Sequence, residues 1–191
     1  MAEQNLHTFL FADIAGFSLI ADLHGDEAAA DLALYFFSRA ESLASIHRGD
    51  VVKCLGDGVM IRTDDAADSI RIALDLVTEF DRDPALPAIH AGLHTGPAVR
   101  RADDWWGATV NLAARVAAAA GAGQVLVTDT ARLQAGQIAS TRWRGLEPLR
   151  LKNIRLRVEV YAASRVAERL PARAPVLALE PPLPASQAVT A

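Results

Sequence analysis

Apolar and polar positions alternate along the chain in blocks that predict a mixed α and β domain. Residues 6–14, LHTFLFADI, form an apolar run that closes at Asp13 and Gly16, which predicts a buried strand leading into a turn. From Asp26 to about His47, Leu32, Leu34, Phe36, Phe37, Leu43 and Ile46 recur among alanines, the pattern of one long helix, and Gly49 stops it. DVVKCLGDGVMIR then gives two short β-rich runs around Gly-Asp-Gly at 56–58, and Asp-Gly between strands is a strong hairpin signal. Residues 64–80 return to helical spacing, with Ile70, Ala73, Leu74, Val77 and Phe80 on one face and Asp64 and Asp65 suited to its N-terminus. A second hydrophobic strand, PAIHAGLHTG, covers about 87–96. The polar stretch 97–106 follows and ends in Trp105–Trp106.

Beyond it the pattern predicts a helix from Gly107 to about Ala120, a GAGQ turn, a strand QVLVT and a short helix near 129–135. Two closing β-rich stretches fall around 140–145 and 155–162. After Ser164 the chain is rich in Ala and Pro and holds no period. Residues 1–164 are therefore expected to form one domain, and 165–191 a disordered tail. The order strand–helix–strand–strand–helix–strand over the first 96 residues is the split βαβ arrangement, an α+β sandwich with a ferredoxin-like βαββαβ core and a C-terminal extension.

Composition narrows the classes of function. With 191 residues, 51% of them hydrophobic and 22% charged, the chain can bury a core of its own. A net charge of −4 argues against a nucleic-acid partner, which would select a basic face. The single cysteine, Cys54, excludes a disulfide framework and a cysteine-built zinc site. No apolar run approaches the about 20 residues that span a bilayer, and the N-terminus lacks the pattern of a secretory signal. A cytoplasmic protein is expected.

Few residues stand out as chemistry. Asp13 ends an apolar strand and Asp57 sits at the hairpin tip; in a ferredoxin-like sheet the first strand lies beside the hairpin, so the two carboxylates can converge. Oxygen-only ligands suit Mg²⁺, which takes few carboxylates plus substrate phosphates, and two such ions can clamp a displacement at phosphorus. The plain alternatives are a turn residue at Asp57 and a helix cap at Asp13. Lys53, among Val51, Val52, Cys54 and Leu55, aims into a site or a partner. Asn111 and Arg115 share one helix face a turn apart and suit a phosphate or ribose; an outer face or an intrahelical hydrogen bond is the plain alternative. Asp103–Asp104 reads as a solvated turn, the tryptophan pair as a subunit interface, His90 and His94 as core or interface residues, and Cys54 as a small buried hydrophobe.

Five segments in order, FADIAGFS (11–18), GDVVKCLGDGVM (49–60), IHAGLHTGP (89–97), DDWWGATVNLAARV (103–116) and LRLKN (149–153), closely resemble the class III nucleotide cyclase catalytic domain. The resemblance spans about residues 6–163. It implies that Asp13 and Asp57 hold two divalent ions, Mg²⁺ or Mn²⁺, and that Lys53 and Asp104 read the purine as an adenine-type pair. It further implies that Asn111 orients the ribose, that Arg115 stabilises charge on the α-phosphate, and that Lys152 holds the terminal phosphates. The implied reaction turns ATP into 3′,5′-cyclic AMP and pyrophosphate, at sites shared between two chains of a homodimer. The alternatives are a cyclase fold serving only as a nucleotide-binding or dimerisation module, and a cyclase acting on GTP.

Departures from the family pattern are LKN at 151–153 in place of LKG and a short arm between Gly96 and Gly107; with no regulatory domain ahead of residue 6 in this sequence, either a stand-alone enzyme or the end of a longer chain is expected. Against 17 arginines the chain has only two lysines, Lys53 and Lys152, and both fall where the cyclase pattern asks for lysine.

Overall fold

A computed structural model describes residues 5–166. Strand β1 (Leu6–Ile14) turns at Gly16 into helix α1 (Phe17–His24), and α2 (Asp26–Ile46) follows after Gly25. The hairpin β2 (Asp50–Leu55) and β3 (Gly58–Thr63) leads to α3 (Ala66–Arg82), whose N-cap Asp65 accepts a hydrogen bond from the Ala67 N–H at 2.8 Å. Strand β4 (Ile89–Pro97) then opens onto a small two-stranded arm, β5 (Val99–Arg101) and β6 (Asp104–Trp106). Helix α4 (Ala108–Ala117), strand β7 (Val125–Thr128), helix α5 (Asp129–Ala135) and strands β8 (Thr141–Gly145) and β9 (Val160–Arg165) complete the chain.

The main sheet has seven strands in the order β2-β3-β1-β4-β7-β9-β8. Its first four strands pair antiparallel in the ferredoxin-like order expected, with β1 between β3 and β4. Strand β7 adds parallel to β4, and the β8–β9 hairpin extends the far edge.

Because side chains alternate along a strand, β1 serves both faces. Leu10, Ala12 and Ile14 join Ile61, Ile89, Ala91 and Leu93 in the main core, filled from α2 and α3 by Phe36, Ile70, Leu74 and Phe80. Phe36 and Phe80 meet edge to face, with ring centroids 5.8 Å apart. On the opposite face Phe9 and Met60 pack with Ala113 of α4 and Trp105 of the arm. Helix α4 rests directly on β4 because position 92 is glycine: a Cβ there would overlap the backbone of Ala117.

Several elements differ from the pattern reading. Helix α1 was not expected; its apolar residues bury none of their number, with Leu19 and Leu23 exposed, so no buried stripe announces it. Helix α4 ends at Ala117, and the arm replaces a polar loop. The hairpin turn is Gly56–Asp57, not Asp57–Gly58. Of those two only Gly56 has positive φ (66°), the pattern of a type II′ turn with glycine first. The last strand begins at Val160, and Arg165, expected in the tail, is its final residue. The rest of the predicted tail, 167–191, lies outside the described residues.

Candidate active site

Asp13 lies on the arm-side face of β1, near the end of the strand, with Gly58 of β3 as its cross-strand neighbour. A Cβ at position 58 would overlap the Asp13 carboxylate, so the glycine is the floor on which that carboxylate lies. The hairpin tip is tied to the same place, since the Ile14 N–H donates to the Asp57 carbonyl at 3.2 Å. Burial raises the Asp13 carboxyl above its ordinary range, the nearby His90 opposes that rise, and the Asp57 charge adds to it. Asp57 thus stands at the hairpin tip beside the Asp13 end of β1, near enough for its charge to reach that carboxyl. The plain alternative for Asp13, a helix cap, does not hold, because the residue at the start of α1 is Gly16 and no side chain caps that helix; Asp57 does lie in the hairpin turn, as its plain alternative has it.

The donor set fits a hard divalent cation. Among the described residues no group of three His, Cys, Asp or Glu side chains could cage an ion. Two neighbouring carboxylates without a third protein ligand suit an ion that keeps water and phosphate oxygens in its other positions, as Mg²⁺ and Mn²⁺ do.

Lys53 reaches its place through an irregularity in β2. Val51 faces the main core and Val52 packs toward Trp105 on the other side. Strict alternation would return Lys53 to the helix side. The register instead shifts between Val51 and Lys53, so that Lys53 pairs with Met60, which belongs to the arm-side cluster. A bulge of this kind re-aims a side chain. The Lys53 Nζ consequently donates to Asp104 Oδ2 at 2.6 Å, across from the main sheet to the arm. The Trp105 N–H donates to the other carboxylate oxygen, Oδ1, at 2.8 Å. Both partners stay partly open to solvent, and the Lys53 contact, with the Trp105 N–H second, pulls the Asp104 carboxyl below its ordinary range.

Asn111 and Arg115 point outward from the exposed face of α4 and are not hydrogen-bonded to each other. Among the described residues Arg115 forms no ion pair. Lys152 lies exposed in a turn over Leu151–Ile154, closed by the Ile154 N–H donating to the Leu151 carbonyl at 3.1 Å. Asn153 takes φ 64° there, the left-handed conformation that glycine or asparagine supplies at the third position of a type II turn. Asparagine thus takes here a conformation equally open to glycine. Leu151 packs on the cluster that contains Val116, which moors the Lys152 turn beneath α4.

Within one chain the structure thus brings together Asp13 with Asp57, and Lys53 with Asp104. It places Asn111 and Arg115 side by side on α4, and no hydrogen bond or ion pair among the described residues joins these three groups.

A sequence profile of the adenylate and guanylate cyclase catalytic domain matches residues 1–162. The chain belongs to that family. It is 34% identical over 165 residues to a pH-sensitive adenylate cyclase of Mycobacterium tuberculosis, covering 85% of this chain and 41% of that protein. It is 36% identical over 121 residues to an adenylate cyclase of Streptomyces coelicolor, covering 63% of this chain and 32% of that one. The chain thus spans less than half the length of these relatives. The fold is also that of the adenylyl cyclase CyaB from P. aeruginosa, with a TM-score of 0.76 at 22% identity over 86% of this chain and 95% of that one. An adenylate cyclase of Trypanosoma brucei, solved in its monomeric state, superposes with a TM-score of 0.77 at 22% identity, over 85% of this chain and 91% of that one.

Membership in the cyclase family accords with the residue pattern, while the structure corrects the reading of other side chains. His90, read as a core or interface residue, places Nε2 3.7 Å from Asp13 Oδ2. The antiparallel partner of ADI in β1 is IHA in β4, and that register, Asp13 opposite His90, was the signal available. His94 is half-buried: its Nδ1 lies 2.8 Å from Thr128 Oγ1, and desolvation pushes its pKa down to about 4. Trp105 packs from the arm onto the main sheet against Phe9 and His7, while Trp106 is 60% exposed. Cys54 is exposed, because after the bulge it sits near the free end of an edge strand. No helix among the described residues is long and apolar enough to cross a membrane.

Proposed function

We propose that the domain ending with β9 is an adenylate cyclase, converting ATP to 3′,5′-cyclic AMP and pyrophosphate. The observation that carries this reading is the Lys53–Asp104 pair, an ammonium donor and a carboxylate acceptor held 2.6 Å apart. Adenine presents the complementary edge, an acceptor at N1 beside a donor amine, whereas guanine presents the reverse at those two atoms. The names of the Mycobacterium and Streptomyces relatives point the same way.

In this reading Asp13 and Asp57 hold two divalent ions, which when bound acidify the ribose 3′-hydroxyl and neutralise phosphate charge. The protein's own contribution is placement and charge. Lys53 and Asp104 fix the base. The Asn111 amide holds the ribose so that its 3′-oxygen faces the α-phosphorus. The Arg115 guanidinium meets the negative charge that builds on the α-phosphate oxygens as the 3′-oxygen bonds to phosphorus and the bond to pyrophosphate breaks. The Lys152 ammonium holds the terminal phosphates of the leaving group. No side chain is assigned as general base.

The reading also includes a homodimer with two shared sites, in which one chain supplies Asp13 and Asp57 and the other supplies Lys53, Asp104, Asn111, Arg115 and Lys152. Support comes from the outward aim of Asn111 and Arg115 and from there being no hydrogen bond or ion pair among the described residues between them and the carboxylate pair. A symmetric interface would generate two such sites. The substrate implies a cytoplasmic setting.

The test is an assay with ATP and GTP, in Mg²⁺ and Mn²⁺, over a range of protein concentration. Cyclic AMP should form from ATP, with specific activity rising with protein concentration. Absence of cyclic AMP under all of these conditions contradicts the reading.

A further inference from the structure

The Lys53–Asp104 pair spans two structural units. Lys53 belongs to the main sheet, while Asp104 belongs to the arm, whose strands hydrogen-bond to each other in a separate sheet. Whatever docks the arm onto the sheet therefore sets where the carboxylate stands relative to the ammonium. The docking side chain is Trp105, next to Asp104. Its ring meets His7 at 4.5 Å and Phe9 at 5.6 Å, both edge-on, and the Arg62 guanidinium carbon lies 5.3 Å from the ring centroid. The same residue's N–H holds Asp104 Oδ1.

Arg62 is unusual in being well covered and fully occupied by partners on its own sheet. Its side chain is 14% exposed; Nη2 lies 2.7 Å from His7 Nδ1, Nη1 donates to Asp50 Oδ2 at 3.1 Å, and Nη2 also donates to Asp64. Three partners hold a planar fork in one orientation, and the indole rests against it. Arg62 touches neither Lys53 nor Asp104 among its hydrogen-bond partners.

We infer that Arg62 is a positioning residue for purine selection, acting through Trp105 to hold the Asp104 carboxylate in reach of both Lys53 and the base. The inference rests on the adenine-reading role proposed for that pair. A carboxylate that drifts from its set position loses discrimination between purines, because selectivity from a hydrogen-bonding site depends on both partners being in place. In the proposed site the phosphates fall to Arg115 and Lys152, so loss of Arg62 should weaken base recognition and leave the chemical step nearly intact.

The experiment compares wild-type protein with Arg62→Met, Trp105→Leu and Trp105→Phe, measuring kcat and KM for ATP and GTP, with far-UV circular dichroism to check folding. Arg62→Met should raise the KM for ATP about tenfold, the loss of roughly one hydrogen bond. It should leave kcat within about threefold and narrow the ATP-over-GTP preference by a similar factor. Trp105→Leu should reproduce this, and Trp105→Phe, which keeps a ring against the guanidinium, should retain most of the wild-type preference. Unchanged purine preference in folded Arg62→Met, or kcat falling equally for both nucleotides, overturns the inference. Should Arg62→Met not fold, the two Trp105 variants decide, and equal preference in both overturns it.

A wild-type protein that makes no cyclic nucleotide defeats the proposed reaction but not this inference. It is then read from binding of 3′-deoxy-ATP against 3′-deoxy-GTP. There Arg62→Met should narrow a wild-type preference for adenine, and a wild type without that preference overturns it.

Discussion

The two faces of the sheet are built on different principles, although β1 supplies both with alternate residues. Toward α2 and α3 it sends Leu10, Ala12 and Ile14 into a closed apolar core. Toward the arm and α4 it sends Phe9, Phe11 and Asp13, a short apolar floor that ends in a carboxylate. The helix face depends on volume and burial. The site face depends on exceptions: a glycine under Asp13, a bulge before Lys53 and a glycine beneath α4. Stability and activity should accordingly separate between the faces.

The largest expected effect lies on the helix face. Phe80 is fully buried against Phe36, and Phe80→Ala should cost about 3–5 kcal/mol of folding stability through lost burial and a cavity. A denaturant titration measures it, and the fraction that stays folded should keep its kcat. A loss of kcat per folded molecule would break the separation.

Gly58→Ala makes the opposite case. Its Cβ would meet mainly the movable end of the Asp13 side chain, so the melting temperature should change little. Displacing that carboxylate should lower activity about a hundredfold, the scale of a misplacement of about 1 Å. Normal activity in this variant would mean that the carboxylate's seat on Gly58 is not needed.

The smallest effect sharpens the comparison at a half-buried polar group on the α4 face. His94 is held neutral by burial, with its pKa near 4 against an ordinary 6.5. Between those values the unfolded chain binds more protons at this residue, so its contribution falls as pH drops from 6.5 toward 4. Urea midpoints at pH 7 and pH 5 should show the loss, and His94→Gln should show less of it. An equal loss in the variant would remove His94 as its source.

The same division decides what was legible in the sequence. The helix face obeys simple periods, so α2, α3, β1 and β4 and the sheet order were within reach of the pattern, and the resemblance named the site residues. Exceptions to period were not legible. Residues Val51 to Lys53 read as ordinary alternation, and nothing local marks a bulge there. Trp105 and Trp106 are identical in sequence, yet one packs on the sheet and the other faces out. His90 enters the site only through strand register. Helix α1 buries no residue and so left no stripe to read. Asn153 shows the reverse case, where a departure from the family pattern takes a backbone conformation that glycine also adopts freely.

A mixing experiment shows whether each site is completed by two chains, as proposed. Asp57→Ala and Arg115→Ala should each be inactive alone, since each variant lacks one half of every site. Random exchange makes half of the dimers mixed, and each mixed dimer carries one intact site of two, so activity should return to about a quarter of the wild-type level. No recovery, in variants shown to exchange subunits, would contradict the shared site.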